Sequence, residues 1–397
     1  MSKRDKRDAP VRVGQVVEVR PHTLVAGGES LSKIDGFPIF VPSLYPGDVA
    51  KVQITEVKRG FARGATSTIL ERSPARRLEP CPVAETCGGC DWTALRLDHQ
   101  LRAKEAILRS SLERVGKFPA SDLPPITLHP SPLRYRLRSR LQISAQGEVG
   151  FFAERSHTVV PLPEECEVVG PALIRNLRRV TALAKRGTAS QIECFENEQS
   201  FDLSSDDDAE GVAVSIEVGA FRFALSTKAF FQVNRHLLSK LVELVGSSAR
   251  ATRAKNVAFD LYAGVGFFSL PLSQIFDVVY SVEGAAVSHR FAKRNAAPYQ
   301  NIRLFGEKVE TFLERGLTSV DLIVVDPPRA GLDPEVIEAI DGTRATRICY
   351  LSCDPVTFAR DASLLTRRGW SLTALDLLDL FPNTHHVETL SSFERVE

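Results

Sequence analysis

Apolar residues in the second half of the chain form short runs, separated by longer stretches with helical periodicity. Runs of this length, rich in Val, Ile and Leu, are typical of strands that are buried on both faces. Because strands and helices alternate, we predict a parallel sheet covered by helices on both sides, which is a doubly wound α/β fold. The predicted strands are Val257–Leu261, Val278–Val282, Ile302–Phe305, Leu322–Val325 and residues 348–351.

The first 72 residues have a different pattern, in which short β-rich runs follow one another closely. Gly27-Gly28 and Pro46-Gly47 interrupt these runs, as turn residues do between strands. Several short strands at such close spacing predict a small closed β-barrel. The ten residues before the barrel are mostly charged and are predicted to be a disordered tail.

The middle of the chain contains a helical pattern at residues 95–115 and a second β-rich region at residues 133–225. Residues 133–143 alternate between arginine and mainly apolar residues, which predicts a strand with arginines on one face. These arginines are Arg134, Arg136, Arg138 and Arg140. The predicted division is a tail (1–10), a barrel (11–72), a β-rich central domain (73–92 and 125–222) and an α/β domain (93–124 and 223–397).

The net charge of +1 hides an asymmetry between the two parts of the chain. Residues 1–150 contain 24 Lys and Arg against 16 Asp and Glu, whereas the remainder contains 26 against 33. A basic N-terminal part favours contact with a polyanion such as a nucleic acid, although surface charge can also segregate by chance.

The apolar stretches and the N-terminal residues indicate the cellular compartment of the protein. No apolar stretch is long enough for a membrane-spanning helix, and the charged N-terminus does not resemble a signal peptide. We therefore expect a cytoplasmic protein without membrane contact. Disulfides are rare in that compartment, so the seven cysteines call for a metal-binding or catalytic explanation.

A glycine-containing loop follows the first predicted strand of the α/β domain, with the sequence Asp260-Leu-Tyr-Ala-Gly-Val-Gly266. Such a loop lets a ligand approach the backbone at the carboxyl end of a strand. Glu283 ends the next strand, where a carboxylate can accept hydrogen bonds from both hydroxyls of a ribose. The third glycine of the dinucleotide fingerprint is missing, which favours an adenosyl ligand without phosphates, such as S-adenosylmethionine.

The ends of two further predicted strands carry residues that can take part in catalysis or in cofactor binding. Asp326-Pro-Pro-Arg329 follows the fourth strand as a rigid corner, and Arg329 replaces the aromatic residue typical of base amino-methyltransferases. Cys353 follows the fifth strand, where a thiol facing a cofactor can act as a nucleophile or can simply be a small buried side chain. Cys349, inside the strand, is the better candidate for the buried role.

The C-terminal segment Phe381-Pro-Asn-Thr-His-His-Val-Glu388 offers a carboxylate and two imidazoles as acid–base groups. The two histidines also raise the possibility of a metal site, but no third ligand stands at a convincing spacing.

Five motifs in this order resemble the RNA uracil-C5 methyltransferase family, which forms 5-methyluridine with S-adenosylmethionine. They are Phe-Phe-Gln-Val-Asn at 230–234, the loop at 260–266, and the segments 326–329, 352–355 and 381–388. The resemblance extends to a TRAM domain, an OB-like RNA-binding barrel, at the N-terminus. It implies a Rossmann-like methyltransferase domain, an OB-like barrel and a β-rich central domain.

The resemblance also implies roles for individual residues. Cys353 is expected to add to uracil C6 and Glu388 to remove the C5 proton. The chain departs from the family at Asp354, where Asn is usual, and a carboxylate there would tend to raise the pKa of the nucleophile. The expected cofactor-binding residues are Gln232, Tyr262, Glu283 and Asp326.

Cys81, Cys87 and Cys90 form a close cysteine cluster, for which the sequence alone leaves iron–sulfur and zinc equally open. The resemblance implies a 4Fe–4S cluster with Cys166 as the remote fourth ligand and Cys194 as its competitor. A radical S-adenosylmethionine enzyme is disfavoured, since it would need Cys-x3-Cys-x2-Cys, whereas this chain has Cys-x5-Cys-x2-Cys.

The expected substrate is RNA, and the architecture resembles the 23S rRNA (uracil-5-)-methyltransferases most. The alternative enzyme acts on the T-loop of tRNA, and a non-enzymatic alternative is a TRAM-domain RNA-binding protein. The expected state is a monomer.

Overall fold

The structure is a computed structural model and describes residues 9–78, 81–185, 189–197, 200–206, 208 and 210–396. Most of the predicted tail therefore lies outside the described residues. The described chain divides into two compact units. The N-terminal unit comprises the residues up to Ala84, Cys90–Ile107 and Asn383–His386, and the C-terminal unit comprises Glu85–Gly89, Leu108–Pro382 and the residues from Val387.

The N-terminal unit is built on a six-stranded sheet around one apolar core that includes Val19, Ile39 and Val52. The strand order is β1-β5-β6-β4-β3-β2, and irregularities in the pairing of β5 with β6 let these two long strands bend. Helix α1 (Leu97–Ser111) begins in this unit. The strands are β1 (Val16–Val19), β2 (Thr23–Leu24), β3 (Ser30–Ile34), β4 (Phe37–Val41), β5 (Val49–Val57) and β6 (Ala62–Glu71).

The first part of the C-terminal unit is rich in strands, as predicted. A five-stranded antiparallel sheet has the order β10-β9-β8-β11-β12, and β13 and β14 form a separate hairpin. A π-helix (Leu112–Gly116) and a 3₁₀-helix (Ala120–Asp122) follow α1. The other elements are β7 (Ile126–His129), β8 (Arg138–Ile143), β9 (Val149–Phe152), β10 (Val159–Pro161), α2 (Pro171–Arg175), α3 (Leu177–Ala184), β11 (Gln191–Glu196), β12 (Phe201–Ser205), β13 (Ala213–Val218) and β14 (Phe221–Ser226).

The second part is an eight-stranded, mainly parallel sheet with the order β17-β16-β15-β18-β19-β21-β20-β7, in which β21 runs antiparallel to both neighbours. Its strands are β15 (Val257–Leu261), β16 (Val278–Val282), β17 (Ile302–Phe305), β18 (Leu322–Val325), β19 (Arg347–Ser352), β20 (Trp370–Leu378) and β21 (Glu388–Arg395). Its helices are α4 (Leu238–Ala251), α5 (Ser269–Leu272), α6 (Ala286–Ala296), α7 (Val309–Leu313), α8 (Pro334–Gly342) and α9 (Pro355–Thr366).

The predicted fold class is confirmed, and four of the five predicted parallel strands have the bounds that their apolar runs gave. The reason is burial: β18, for example, is buried at every residue, as a central strand covered on both faces must be. The boundaries of the three predicted domains stay a prediction. In the described part of the chain, no helix has both the length and the apolar character to cross a membrane.

Only the second part of the predicted arginine-bearing strand, residues 133–143, is a strand in the structure. Strand β8 begins at Arg138, so Arg134 and Arg136 lie outside it. The Arg138 guanidinium donates to the carbonyl oxygens of Ala229 and Thr227, and burial lowers its pKa. Arg138 is therefore engaged inside the protein, whereas Arg134 and Arg140 are exposed.

Candidate active site

The candidate site lies at the carboxyl ends of β15 and β18 in the C-terminal unit. From β15, the chain builds the sheet in one direction through β16 and β17, and then in the other direction through β18 and β19. The neighbouring strands β15 and β18 thus form the switch point, outside which open α/β sheets bind their ligands. This topology brings the 260–266 loop and Asp326 to the same edge of the sheet.

The loop after β15 has an unusual backbone. Tyr262, Gly264 and Gly266 have φ angles of 62°, 58° and 88°, in the left-handed region that favours glycine. A Cβ atom at Gly264 would have no protein atom within 4 Å, so space is open in front of this backbone. The loop therefore leaves room for a ligand to approach its main chain.

Glu283 holds this loop from the next strand end. Its carboxylate accepts hydrogen bonds from the backbone N–H of Gly264, over 2.8 Å, and of Ala285, over 2.6 Å. Each carboxylate oxygen can accept more than one hydrogen bond. Glu283 can thus fix the loop and still accept hydrogen bonds from ribose hydroxyls.

Gln232 and Asp326 face each other across the pocket. The Gln232 amide donates to Asp326 Oδ2 over 3.0 Å. Burial, followed by the charge of Asp260, raises the pKa of Asp326 to about 8. The pocket is lined by residues 230–232, Tyr262, Ala263, Gly264, Val265, Phe267, Phe268 and Asp326, so three of the four predicted cofactor residues line one cavity.

Asp260 belongs to the same region but is absent from the predicted site residues. It is buried, its Oδ2 accepts a hydrogen bond from Ser269 Oγ over 2.5 Å, and its Oδ1 has no partner among the described residues. Burial raises its pKa to about 7. The signal in the sequence was an acidic residue in a strand directly before a glycine loop.

These groups fit S-adenosylmethionine. The ligand has ribose hydroxyls that Glu283 can bind, and it carries a sulfonium cation that a carboxylate such as that of Asp326 can stabilise. Because a Cβ atom at Gly264 would meet no protein atom within 4 Å, the backbone there is open to an approaching ligand.

The register of the sheet brings the predicted nucleophile and base together. Ser352 at the end of β19 pairs with Thr389 in β21, so Cys353 and Glu388 each lie one residue beyond the same pair. Cys353 is partly exposed, whereas Glu388 is buried. Burial, and then the charges of Glu388 and Asp326, raise the pKa of the Cys353 thiol to about 12. The thiol therefore shares one electrostatic environment with both carboxylates.

Asp354 has a structural role that the resemblance to the methyltransferase family did not suggest. It is the N-cap of α9, and its Oδ1 accepts hydrogen bonds from the backbone N–H of Val356 (2.9 Å) and Thr357 (2.8 Å). Its charge contributes to the raised pKa of Cys353, as expected for a carboxylate in place of Asn. Cys349 is fully buried inside β19, and burial raises its pKa to about 12, in keeping with a core role.

The histidines of the C-terminal motif belong to the N-terminal unit. His385 Nδ1 lies 2.7 Å from Asp91 Oδ2, and the imidazole rings of His385 and His386 contact each other at a tilt of 48°, with centroids 4.6 Å apart. The structure thus groups Glu388 with Cys353 and groups His385 with Asp91.

The predicted cluster ligands are distributed over the two units. Cys87 and Cys166 belong to the C-terminal unit, and burial and a charge on Cys166 both raise the pKa of Cys87. Cys81 and Cys90 belong to the N-terminal unit. Among the described residues, no group of three or more His, Cys, Asp or Glu side chains is arranged to hold a metal ion. Cys194 is buried within β11, where burial raises its pKa.

Comparison with protein families gives two matches. Residues 197–396 match the family described as tRNA (Uracil-5-)-methyltransferase, and residues 10–66 match the TRAM domain. The first match covers half of the chain and contains all the residues of the candidate site.

Relatives of known sequence match over nearly the whole chain. An uncharacterized RNA methyltransferase of Gloeobacter violaceus is 31% identical, over 96% of this chain and 97% of its own length. The 23S rRNA (uracil(1939)-C(5))-methyltransferase RlmD of Salmonella paratyphi A is 29% identical, over 97% of this chain and 98% of its own length.

Among solved structures, the Pyrococcus abyssi tRNA (uracil-54, C5)-methyltransferase in complex with S-adenosyl-L-homocysteine has a similar fold. The TM-score is 0.72 at 22% identity, and the match covers 95% of this chain and 99% of the other.

Proposed function

Because this chain belongs to the S-adenosylmethionine-dependent RNA uracil-C5 methyltransferases, we propose that it forms 5-methyluridine in 23S rRNA, with Cys353 as nucleophile and Glu388 as base. The observation that carries the assignment is the register of β19 and β21, which places Cys353 and Glu388 beside the same strand pair.

The chemistry follows from the weak nucleophilicity of uracil C5. The Cys353 thiolate forms a bond to C6, and the electron pair displaced toward C5 makes that carbon nucleophilic. S-adenosylmethionine, when bound, supplies a methyl group activated by its sulfonium. Glu388 then takes the C5 proton, the C5–C6 double bond re-forms and the thiolate leaves.

The raised pKa of Cys353 constrains the first step. With a pKa of about 12, the thiol is protonated at neutral pH, so a proton acceptor must act before or during the addition. Arg329 lowers the pKa of this thiol, and the start of α9 directly follows it. A thiolate that forms here would be stabilised by the guanidinium and by the positive end of the helix dipole.

A trapping experiment tests the nucleophile. On RNA that carries 5-fluorouridine, the fluorine cannot leave as a cation, so the reaction stops at a covalent protein–RNA adduct. Cys353→Ala should abolish this adduct. Cys349→Ala is the matched control, since it removes a buried thiol four residues earlier, inside the strand that precedes Cys353, and should retain the adduct. The opposite pattern would overturn the assignment.

The RNA target is proposed from the near full-length similarity to an enzyme named for 23S rRNA. The tRNA T-loop is the alternative, favoured by the name of the matched family model. Mapping 5-methyluridine in the rRNA and tRNA of a deletion strain decides between them. Loss of 5-methyluridine from tRNA alone would overturn the rRNA proposal. A separate assay distinguishes an enzyme from a non-enzymatic RNA-binding protein, since only the methyltransferase releases tritium from 5-³H-uridine RNA.

We also propose that Cys81, Cys87, Cys90 and Cys166 hold a 4Fe–4S cluster. Cys166 belongs to the same unit as Cys87, and a charge on Cys166 acts on the Cys87 thiol, which supports Cys166 as the fourth ligand. Protein purified without oxygen should contain about four irons per chain. Serine at each of the four positions should lower the iron content, whereas Cys194→Ser should not, and stoichiometric zinc would refute the proposal.

A further inference from the structure

Four residues near the C-terminus, Asn383–His386, belong to the N-terminal unit, although the chain on both sides of them belongs to the C-terminal unit. Pro382 precedes this segment, and Val387 and Glu388 follow it. We call it the 383–386 segment. The proposed base therefore lies two residues after a segment that is held by the other unit.

Asn383 anchors the segment from a fully buried position with a left-handed φ of 65°. Its backbone N–H donates to Gln100 Oε1 over 2.8 Å, and its Oδ1 accepts from Gln100 Nε2 over 3.0 Å. Its carbonyl oxygen accepts from the backbone N–H of both Asp91 and Trp92, each over 3.0 Å. The backbone N–H of Asn383 is thus held by Gln100 in α1, and its carbonyl oxygen is held by the residues before α1.

His385 provides a second anchor. Asp91 Oδ2 lies 2.7 Å from His385 Nδ1 and accepts a hydrogen bond from the His385 backbone N–H over 3.3 Å. A Cβ atom at Gly28 would come within 2.9 Å of His385 Cβ, so the turn between β2 and β3 packs closely against this residue. The Trp92 indole N–H in turn donates to the Gly28 carbonyl oxygen over 3.1 Å.

We infer that Gln100 and Asp91 are positioning residues for Glu388, because their hydrogen bonds fix the backbone that leads into the base. This inference rests on the proposed role of Glu388. Val387, the one residue between the 383–386 segment and Glu388, is itself buried. A displacement of the 383–386 segment would therefore move the Glu388 carboxylate as well, because only Val387 separates the two. Proton removal from carbon requires the base within hydrogen-bond reach of the proton, so a small displacement slows that step.

The test separates proton removal from the earlier steps. Adduct formation on a 23S rRNA transcript with 5-fluorouridine requires Cys353 and methyl transfer but no removal of a C5 proton. Tritium release from the same transcript with 5-³H-uridine requires the base. For Gln100→Ala we expect release to fall by about 10–100-fold, while the rate of adduct formation changes by less than about twofold.

Asp91 gives an independent pair of variants on a partly exposed residue. Asp91→Ala removes both hydrogen bonds to His385 and should slow release selectively, whereas Asp91→Asn keeps an acceptor oxygen and should restore part of the rate. Ser73→Ala is the matched control. It removes a side-chain hydrogen bond to Pro46 in the same unit and none to the 383–386 segment, so both rates should be unchanged.

Parallel loss of adduct formation and release in the Gln100 and Asp91 variants would overturn the inference, since that pattern indicates a general structural role. Unchanged release in both variants would overturn it as well. A wild-type protein that forms no adduct on the 23S rRNA or tRNA transcript would instead overturn the proposed mechanism, and the inference with it.

Discussion

The Gln232 side-chain amide donates a hydrogen bond to the Asp326 carboxyl group over 3.0 Å, and this pair links the segment after β14 to the end of β18. Asp326 also interacts with the charge of Asp260, and burial raises the pKa of both carboxyl groups, to about 8 and about 7. The charge of the pocket therefore changes close to neutral pH.

Binding of S-adenosylmethionine should depend on this charge. Well below pH 7 both carboxyl groups are largely protonated, and well above pH 8 both are largely ionised and can stabilise a sulfonium cation. S-adenosylhomocysteine has the same groups but a neutral sulfur. We expect the ratio of the two affinities to shift toward S-adenosylmethionine by roughly fivefold between about pH 6 and about pH 9, as measured by calorimetry.

Asp326→Asn provides the control for this titration. The amide keeps the size of the side chain and an acceptor for Gln232, but it cannot ionise. The affinity ratio should then vary much less over the same pH range. A ratio that is independent of pH in the wild type would show that no carboxyl group near the sulfonium titrates in this range.

The residue after the nucleophile offers a second prediction. Asp354→Asn should lower the pKa of Cys353, because it removes a nearby negative charge, and should keep the cap of α9, since Asn and Asp cap equally well. Adduct formation on 5-fluorouridine RNA at neutral pH should therefore become several-fold faster. The pH dependence of the adduct rate should shift toward lower pH.

Asp354→Ala removes the same charge together with the cap. It should also lower the pKa of Cys353, but it should cost about 1 kcal/mol of unfolding free energy, which Asp354→Asn should not. If neither variant shifts the pH profile, Asp354 does not control the reactivity of the thiol.

The proposed base gives a third prediction. Glu388→Gln should still allow Cys353 to add and the methyl group to be transferred, but it should slow removal of the C5 proton by roughly 10²–10⁴-fold. A methylated protein–RNA adduct should then accumulate on ordinary RNA, visible as a shifted band on a denaturing gel. Accumulation in His386→Ala but not in Glu388→Gln would show that the base is misassigned.

Sequence patterns were most informative where burial dictates residue type. The five neighbouring parallel strands β15 to β19 were predicted, because strands such as β18 are covered on both faces and consist of apolar residues alone. Likewise, Cys353 could be placed at a strand end by the apolar run before it, whereas the pairing of β19 with β21 beside it became visible only in the structure.

Long-range contacts of polar residues were not predictable in the same way. The hydrogen bonds of Gln100 with Asn383 join residues 283 positions apart, and no local periodicity reports such a pair. Alternation at 133–143 was also ambiguous. It predicted a strand face with four arginines, but it did not reveal that the Arg138 guanidinium donates to carbonyl groups of a segment about 90 residues away.

Arg136 therefore gives a prediction that separates RNA binding from stability. Its guanidinium lies over the Phe151 ring, 5.3 Å from the centroid, and donates to the Gly89 carbonyl oxygen over 3.4 Å. A cation over an aromatic ring contributes on the order of 1 kcal/mol, so Arg136→Ala should lower the melting temperature by a few degrees. Because this guanidinium is engaged inside the protein, the salt dependence of RNA binding should be unchanged.

Arg134 is the matched comparison, since it stands two residues earlier and is exposed. If it neutralises a phosphate of the RNA, Arg134→Ala should flatten the slope of log K against log salt concentration by about 0.7 and leave the melting temperature unchanged. Measuring both quantities on both variants tests the assignment of each arginine separately. A flatter slope for Arg136→Ala without loss of stability would mean that Arg136 leaves its aromatic contact to bind RNA, so that the originally predicted arginine face forms in the complex.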